Sequence, residues 1–384
     1  MLGVLIGHAA ERELGGILAV AGITLNGPHS WDPQIRDSRV FRRVLLHGSL
    51  GAGESYMDGW WEVRDLVGMF DRLMRSGQID KFSQLWQVFW RWRKRLMNLQ
   101  SIARARIVAE QHYDLSNEFY RLWLDPTMAY TCGYWQHGVK NLHASQIAKY
   151  DLLCRKLGLK PGMRVLDIGC GWGGLARYMA KQHGVHVTGV TISKEQLAFA
   201  QEYCRGTSVS FLFSDYRLLS GQYDRIVSVG MLEHVGSKNY RPYMQAVSRL
   251  LKPGGLFVLH HIASPSEHSV VDPFFDWYIF PNSELPSRAC LQRASEDVLV
   301  ELDFHEFDFR DYALTLRAWY DQFVAAWPRI EMLGPQFDKR FYRMWEFYLL
   351  SMESAFANGR NRLWQHVYCH EGSASGFRGV YWAR

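Results

Sequence analysis

The sequence predicts an α/β protein whose core is a doubly wound parallel sheet, accompanied by a smaller N-terminal domain. Three observations support this fold class. Short β-branched segments alternate with helical ones from residue 163 onward, as in strands connected by crossover helices. A glycine-rich loop, VLDIGCGWGG at 165–174, begins within the first strand. A length of 384 residues accommodates one large α/β domain and a companion.

Five strand-like segments make up the predicted sheet. They read MRVLDIG, VHVTGVT, SVSFLF, DRIVSVG and GLFVLHHI, and they start at residues 163, 185, 208, 224 and 255. The helical segments SKEQLAFAQEYC and YRPYMQAVSRLL lie between them. Ligands of such sheets bind beyond the carboxyl ends of the strands. The segment 264–287, rich in proline and aromatic residues, follows the fifth strand, and we expect a lid over the pocket there.

The composition of the chain changes along its length and predicts three parts. Residues 1–80 alternate short apolar stretches with glycine-rich ones, which indicates a small N-terminal domain. Residues 81–109 predict a helical linker, because apolar side chains recur there every three or four positions. This linker is basic and aromatic, with seven basic residues and no acidic ones. Residues 110–384 form the large domain that contains the predicted sheet.

Composition and charge restrict the classes of protein. Hydrophobic residues make up 48% of the chain and charged residues 21%, which indicates a folded protein rather than a disordered one. A net charge of +6 is too small to require a polyanionic partner. Six cysteines without a CxxC pair predict neither a metal site nor a disulfide framework, and they favour a reducing compartment. We find no signal-peptide or membrane-spanning run and expect a cytoplasmic protein.

The glycine loop fits two nucleotide-binding patterns. Gly169, Gly171 and Gly174 match the dinucleotide motif G-x-G-x-x-G. Asp167 followed by Gly169, Gly171 and Gly173 matches D-x-G-x-G-x-G, the loop of S-adenosylmethionine-dependent transferases. The loop alone does not decide between the two ligands.

The residues around the loop favour the methyl donor. A dinucleotide fold places an acidic residue at the end of the second strand, whereas GVTISKEQ at 189–196 has none before Glu195. Asp167 suits a cationic ligand and would repel a pyrophosphate, and the loop has no Lys or Arg to bind a phosphate. Asp215 and Tyr216 follow the third strand, where they are placed to accept from an adenine amino group and to stack on its ring.

Five segments carry a resemblance to a known family. They are MRVLDIGCGWGGLARYMA, GVTISKEQ, DRIVSVGMLEHVG, LDPTMAYTCGYW and GESYMDGWWE. Together they resemble the cyclopropane-fatty-acyl-phospholipid synthases over nearly the whole chain. The resemblance implies a class I S-adenosylmethionine-dependent methyltransferase fold (Rossmann-like), with an acyl-chain pocket in a catalytic domain at 110–384. It also implies transfer of a methylene group from S-adenosylmethionine to the cis double bond of unsaturated phospholipid acyl chains, which forms a cyclopropane ring.

This reaction needs a dry apolar tunnel, aromatic faces near developing positive charge, and a compact base. The resemblance implies that the base is a bound bicarbonate ion. Carried over residue by residue, its site consists of Cys132, Glu233, His260, Ile262 and Tyr312. His260 and the Tyr312 hydroxyl would donate to the anion, and Glu233 would accept from its hydroxyl group. Backbone groups near Cys132 and Ile262 would complete the site.

Each of these residues also has a structural interpretation when it is taken alone. Glu233 and His234 could simply start a helix, and Cys132 could be a small buried apolar residue. An acyl-enzyme nucleophile at Cys132 would need an oxyanion motif, which the sequence lacks. His260 could be a core histidine and Tyr312 a packing residue. Their joint occurrence in the family's order favours a site.

The resemblance assigns a second set of residues to the methyl donor. With Asp167 from the loop pattern, this set is Tyr130, Thr131, Gly169, Gly171, Thr191, Gln196, Asp215 and Tyr216. Thr191 and Gln196 take the place of the usual strand-end acid, with Gln196 as the ribose partner. His112 and Tyr113 match a segment that closes over the donor.

The implied substrate lies in a bilayer, so we expect peripheral association with membrane phospholipids at the inner face of the cytoplasmic membrane. The basic residues and tryptophans of the linker suit anionic headgroups and the membrane interface. They equally suit a helix that packs between domains, and both interpretations remain open. A nucleic-acid partner is disfavoured, because the apolar segment 273–286 suits a lipid chain better than a base. The resemblance also implies a homodimer.

Three other functions remain alternatives. A methyltransferase with the same donor could stop at a methyl-branched or hydroxylated acyl chain, although Glu233, His260 and Tyr312 favour ring closure. An RNA methyltransferase would need an Asn-Pro-Pro-Tyr-type motif or a catalytic cysteine pair, and the sequence has neither. A non-catalytic lipid-binding protein would not require the intact glycine loop.

Overall fold

A computed structural model describes residues 2–79, 116–136, 138–267 and 271–373. The predicted linker at 81–109 and the pair His112 and Tyr113 lie outside the described residues. The described chain forms two compact units, divided within one helix after Asp311. The first unit contains residues 2–79, 271–281 and 312–360, and the second contains the described residues of 116–267, 282–311 and 361–373. The sequence-based division at residues 80 and 109 did not anticipate that 312–360 belongs with the N-terminal helices.

The secondary structure alternates over most of the described chain. The helices are α1 (Leu2–Val20), α2 (Arg39–Met57), α3 (Leu66–Arg75), α4 (Asn117–Arg121), α5 (Leu142–Leu157), α6 (Gly174–His183), α7 (Lys194–Tyr203), α8 (Tyr240–Leu250), α9 (Pro273–Tyr278), α10 (Arg288–Ser295), α11 (Phe309–Ile330) and α12 (Lys339–Ala357). The strands are β1 (Gln34–Ile35), β2 (Trp61–Glu62), β3 (Arg164–Ile168), β4 (His186–Thr191), β5 (Val209–Phe213), β6 (Tyr223–Val229), β7 (Leu251–Ala263), β8 (Val300–Glu306) and β9 (Arg362–Cys369). None of the described helices is both long and apolar enough to cross a membrane.

The second unit is built on a seven-stranded sheet in the order β5-β4-β3-β6-β7-β9-β8. The first five strands of this order are parallel, which confirms the five predicted strands. Strand β9 is antiparallel to both β7 and β8, so the sheet is mixed, and the sequence did not predict these last two strands. Chain order reverses between β3 and β6, where ligands of open α/β sheets bind.

Apolar side chains cover both faces of this sheet. Neighbouring strand residues point to opposite faces, and Leu166 and Val165 accordingly belong to two different buried clusters. One cluster includes Tyr243 of α8 and the other includes Met179 of α6. Central parallel strands must be apolar on both faces, which explains their β-branched, nearly continuous hydrophobic sequences.

Aromatic side chains occupy the centre of the first unit. The ring of Phe347 in α12 lies 4.8 Å from that of Phe274 in α9 and 5.4 Å from that of Phe70 in α3. Helix α12 also packs against α2. Gly53 of α2 permits a close approach, because a Cβ atom there would lie 2.3 Å from the Phe274 ring. The unit is mainly helical, with β1 and β2 as a short antiparallel pair.

A buried arginine connects α12 to the last turn of α2 and to β2. Arg343 donates from Nε to the Tyr56 carbonyl and from Nη2 to the Trp61 carbonyl at 2.8 Å. Its guanidinium carbon lies 4.2 Å from the centroid of the Tyr56 ring. Since the planar fork of arginine reaches two acceptors and one ring face at once, lysine cannot reproduce these contacts.

We expect Arg343→Lys to lower the free energy of unfolding by about 2 kcal/mol, because at least one buried carbonyl loses its charged donor. The midpoint of thermal unfolding measures the change. Arg39→Lys is the matched control: Arg39 forms a surface pair with Asp37, and such pairs contribute little. Equal midpoints for the two variants would contradict a stabilising role of Arg343.

Candidate active site

The glycine loop takes the conformation that its sequence requires. Gly169 and Gly171 have φ angles of 79° and 53°, which side chains other than glycine rarely adopt. A Cβ atom on Gly169 would also lie 2.6 Å from Cγ of Met231. The amides of Gly169 and Cys170 donate to the Val190 carbonyl at 2.9 and 3.1 Å, which ties the loop to β4. The loop then leads into the N-terminus of α6.

Asp167 lies in β3 directly before this loop. Its side chain is buried, and burial raises the pKa of the carboxyl to about 7. Among the described residues, no positive charge offsets this rise of the Asp167 pKa. A cationic ligand at the loop would favour its ionised form.

Thr191 and Gln196 lie at the end of β4 and in the first turn of α7. The Thr191 hydroxyl donates to Oε1 of Gln196 at 3.1 Å and accepts from the Ser193 amide at 3.1 Å. Ser193 caps α7 by accepting from the Gln196 amide. These bonds fix Thr191 and Gln196, both predicted to bind the methyl donor, at the carboxyl end of β4.

Asp215 is engaged by a neighbour that the sequence analysis did not consider. Its carboxylate accepts from Nε and Nη2 of Arg217 at 2.8 and 2.6 Å, and also from the Arg217 amide. The ring of Tyr216 meets that of Tyr243 edge-on at 5.2 Å. Contacts of Asp215 and Tyr216 with an adenine therefore stay a prediction, and Asp215 would have to serve adenine and Arg217 together.

Tyr130 belongs to a group of aromatic side chains from the part of the chain that precedes β3. Its ring lies 5.6 Å from that of Tyr120 and 5.7 Å from that of Trp123. Tyr120 also contacts Trp172 of the glycine loop at 4.9 Å. The indole of Trp172 donates to Asn117 at 2.7 Å. Aromatic faces therefore lie directly beside the loop.

Thr131 and Cys132 follow Tyr130 and are held by helix α5. Lys149 Nζ donates to the Thr131 hydroxyl at 2.6 Å, and Gln146 Nε2 donates to the Thr131 carbonyl at 2.8 Å. The Cys132 side chain is buried, and its thiol donates to the Gly133 carbonyl at 3.1 Å.

Glu233 lies in a short 3₁₀ helix after β6, and one of its oxygens is bound to the backbone of β7. Oε1 accepts from the Ile262 amide at 2.6 Å. Oε2 is buried and has no hydrogen-bond partner among the described residues. Burial raises the pKa of this carboxyl to about 7, although the bond from Ile262 opposes the shift.

His260 lies two residues before Ile262 on β7, at full burial. Its Nδ1 is 3.0 Å from Nε2 of Gln365 on β9. The Gln365 amide donates in this arrangement, so the imidazole proton resides on Nε2. That atom is buried without a partner in the described part of the chain. Burial, reinforced by the Lys149 charge, holds the pKa of His260 well below its ordinary value, so the ring is neutral.

The structure therefore brings Glu233, from the 3₁₀ helix after β6, to the Ile262 amide of β7, the strand that also carries His260. Tyr312 belongs to the first unit and is described there: its ring stacks on Phe356 at 4.0 Å, close to Trp319. Its role toward an anion stays a prediction.

Three buried polar residues were not among the predicted site residues. They are Gln146 and Lys149 of α5 and Gln365 of β9, each with no exposed surface. A signal existed for the first two: they fall in the buried helical stripe of Leu142 and Leu153, where an apolar residue is the norm. No comparable signal marks Gln365, since β9 was not predicted.

Comparisons with known proteins identify the family and the fold. The family model for mycolic acid cyclopropane synthetase matches residues 100–366. The cyclopropane-fatty-acyl-phospholipid synthase of Escherichia coli (strain K12) is 48% identical over 358 residues, which cover 93% of this chain and 92% of that protein. The tuberculostearic acid methyltransferase UfaA1 of Mycobacterium tuberculosis is 32% identical over 360 residues, 88% of this chain and 82% of that protein.

A solved structure of mycolic acid cyclopropane synthase CmaA1, complexed with SAH and CTAB, is also similar. It superposes with a TM-score of 0.62 at 31% identity, and the match covers 68% of this chain and 97% of that one. These matches confirm the predicted Rossmann-like methyltransferase fold. The chain belongs to the family that the mycolic acid cyclopropane synthetase model describes, and its 48% identity to the Escherichia coli protein confirms the predicted resemblance to the cyclopropane-fatty-acyl-phospholipid synthases.

Proposed function

We propose that this protein transfers a methylene group from S-adenosylmethionine to the cis double bond of unsaturated phospholipid acyl chains, with bound bicarbonate as the base. The observation that carries the proposal is that Glu233 Oε2 and His260 Nε2 are buried and have no hydrogen-bond partner among the described residues of this family member. The relative with 48% identity is named for this reaction.

The glycine loop and Asp167 support the methyl donor. S-adenosylmethionine carries a sulfonium and an ammonium group, and a buried carboxyl with a raised pKa gains stability when a cation approaches. Asp215 and Gln196 are the proposed partners of adenine and ribose. The donor-binding set of Tyr130, Thr131 and Thr191 lies on the segments that border the loop.

The residues at the ends of β6 and β7 fit a small anion that carries one hydroxyl. Such an anion needs a donor for its charged oxygens and an acceptor for its proton. His260 offers Nε2–H as the donor, and Glu233 offers Oε2 as the acceptor once the carboxyl is ionised. Both atoms are buried, so an anion that bonds to both would satisfy two polar groups that have no hydrogen-bond partner among the described residues. Bicarbonate, when bound, would supply a compact base for the proton lost during ring closure.

Every bond that forms in the proposed reaction is matched by a bond that breaks. One alkene carbon attacks the methyl group, a C–C bond forms, and the C–S bond breaks to leave S-adenosylhomocysteine. The other alkene carbon becomes a carbocation. Loss of a proton from the new methyl group lets its C–H electron pair close the ring. The aromatic faces of Tyr130, Trp123 and Trp172 lie near the loop, where they favour positive charge without attacking it.

We also propose that the protein acts as a homodimer, bound peripherally to the inner face of the cytoplasmic membrane. An acyl chain within a phospholipid bilayer is the substrate, so the active site must be brought to the lipid surface. The seven basic residues and the tryptophans of 81–109 support binding to anionic headgroups. Exposed apolar side chains of the first unit, Trp277 and Met332, are suited to the same surface.

The test of the reaction uses methyl-labelled S-adenosylmethionine and vesicles of cis-unsaturated phospholipid, with and without bicarbonate. We expect acyl chains one methylene heavier that carry a ring, formed faster with bicarbonate, as identified by mass spectrometry. A methyl-branched product would instead match the activity in the name of the relative UfaA1 and would contradict ring closure. Absence of labelled lipid despite donor binding would contradict the lipid substrate.

Glu233→Gln should lower the rate of ring formation roughly 10²-fold, because an amide cannot accept the hydroxyl proton as a carboxylate does. The raised pKa of about 7 makes a second expectation. Glu233 accepts only when ionised, so wild-type activity should be lost as the pH falls through about 7.

Rates for this experiment are measured with the bicarbonate ion held at one concentration at every pH. Glu267→Gln is the control, because Glu267 forms a surface pair with Arg293. An unchanged rate and acid limb in Glu233→Gln would exclude Glu233 from the base site.

Replacing Arg93, Lys94 and Arg95 by Gln should weaken binding to anionic vesicles roughly 100-fold, at about 1 kcal/mol per basic residue near the surface. Co-sedimentation with phosphatidylglycerol vesicles measures the change, and binding of the wild type should fall with added salt.

The control removes the same charge elsewhere, with Gln at Arg205, Arg293 and Arg310, each in a surface ion pair. If both triple variants lose the same affinity, net charge rather than the segment 81–109 governs vesicle binding.

A further inference from the structure

Helix α5 carries a buried cation that the proposed reaction has not used. Lys149 has no exposed surface. Its hydrogen-bond acceptors are Thr131 Oγ1 at 2.6 Å and Gln146 Oε1 at 2.5 Å, both uncharged. No carboxylate of the described residues forms an ion pair with it. A buried ammonium group without a counter-charge is costly, so this arrangement calls for an anion nearby.

Asp125 is the carboxylate whose charge acts on Lys149, and it is hydrogen-bonded to other groups. Asp125 accepts from the Thr127 hydroxyl, the Ala129 amide and the His143 ring. Its charge still favours the ammonium form, as does Cys132, but burial dominates and lowers the pKa of Lys149 to about 8. The residue is therefore a cation at neutral pH.

Lys149 interacts electrostatically with two of the residues proposed to hold the base, His260 and Cys132. Its charge is felt by His260, whose neutral form it favours. Its electrostatic partners also include Cys132, the residue after Thr131. The Tyr134 amide donates a hydrogen bond to the Ser145 carbonyl of α5 at 2.9 Å, so this helix holds the whole segment that contains Cys132. The Lys149 side chain thus holds the segment that contains Cys132, and its positive charge also acts on His260.

We propose that Lys149 is the counter-charge of the anionic base and the positioning residue for the Thr131–Cys132 edge of its site. The inference rests on the proposed function, since it takes bicarbonate as that base. Thr131 anchors the segment, the ammonium group stabilises the negative ion, and neutral His260 remains a donor beside it. Removal of this charge should weaken binding of the anion, while the fold loses only a buried cation that has no ion-pair partner among the described residues.

The test measures bicarbonate binding by the rise of the melting temperature, with sodium chloride in place of bicarbonate at equal ionic strength. We expect Lys149→Met and Lys149→Gln to raise the half-saturating bicarbonate concentration at least tenfold. Lys149→Gln removes the charge and keeps a polar N–H group on a side chain one atom shorter, whereas Lys149→Met removes the charge and the donor together. Without bicarbonate the melting temperature should be unchanged or higher, because a buried unpaired charge has been removed. High bicarbonate should restore part of the rate of ring formation.

Lys156→Met is the matched control. Lys156 is buried on the same helix, two turns further on, and it pairs with Asp303 at 3.3 Å. It should bind bicarbonate as the wild type does. Equal weakening in Lys149 and Lys156 variants would show a general field effect and overturn the inference.

Two further results separate the two levels of the argument. Wild-type affinity in Lys149→Gln would overturn the role of Lys149 and leave bicarbonate as the base. A wild-type protein that responds to bicarbonate no more than to chloride would overturn the base itself and the inference with it. Loss of folding in both Lys149 variants would assign the lysine to the fold and reject the positioning role.

Discussion

The candidate site depends on burying ionisable groups without giving each an opposite charge. Burial raises the pKa of Asp167 and Glu233 and lowers that of Lys149 and His260, so every shift opposes charge. Hydrogen bonds to uncharged partners hold Glu233, Lys149 and His260 in place but do not neutralise them. A cationic methyl donor and an anionic base are the ligands whose charges would complete such a site, and neither would be bound as well at a solvated surface.

The sheet determines which of these groups meet. Strands β6 and β7 are parallel neighbours, so the 3₁₀ helix after β6 brings Glu233 to the Ile262 amide of β7. Strand β9 lies on the other side of β7 and supplies Gln365, which fixes the proton of His260 on Nε2. The extra antiparallel strand therefore contributes a contact to the proposed site as well as side chains to the core. It selects the tautomer that donates.

The sequence predicted what local patterns encode, and long-range pairing accounts for the rest. Five strands and the glycine loop were recognised because apolar runs and turn residues repeat within short windows. Glu233 and His260 were predicted as site residues because the order of their motifs resembles that of a known family, and their roles stay predictions. Gln365 and the placement of 312–360 with the first helices depend on partners elsewhere in the fold. The Arg217 pair with Asp215 is local, and it was missed because the adenine prediction considered Asp215 alone. A buried lysine such as Lys149 looks like a solvated helix residue until its stripe is known to be the inner one.

The joining of α12 to the N-terminal helices has a consequence for protein synthesis. Arg343 reaches the Tyr56 carbonyl across 287 positions of the chain. During translation the helices α2 and α3 leave the ribosome long before their partner exists, so the apolar faces that they later bury against α12 stay uncovered meanwhile. Such distant contacts slow folding and expose nascent chains to aggregation. The unit that is synthesised first is thus among the last to be completed, because it must wait for α12, the last of the described helices.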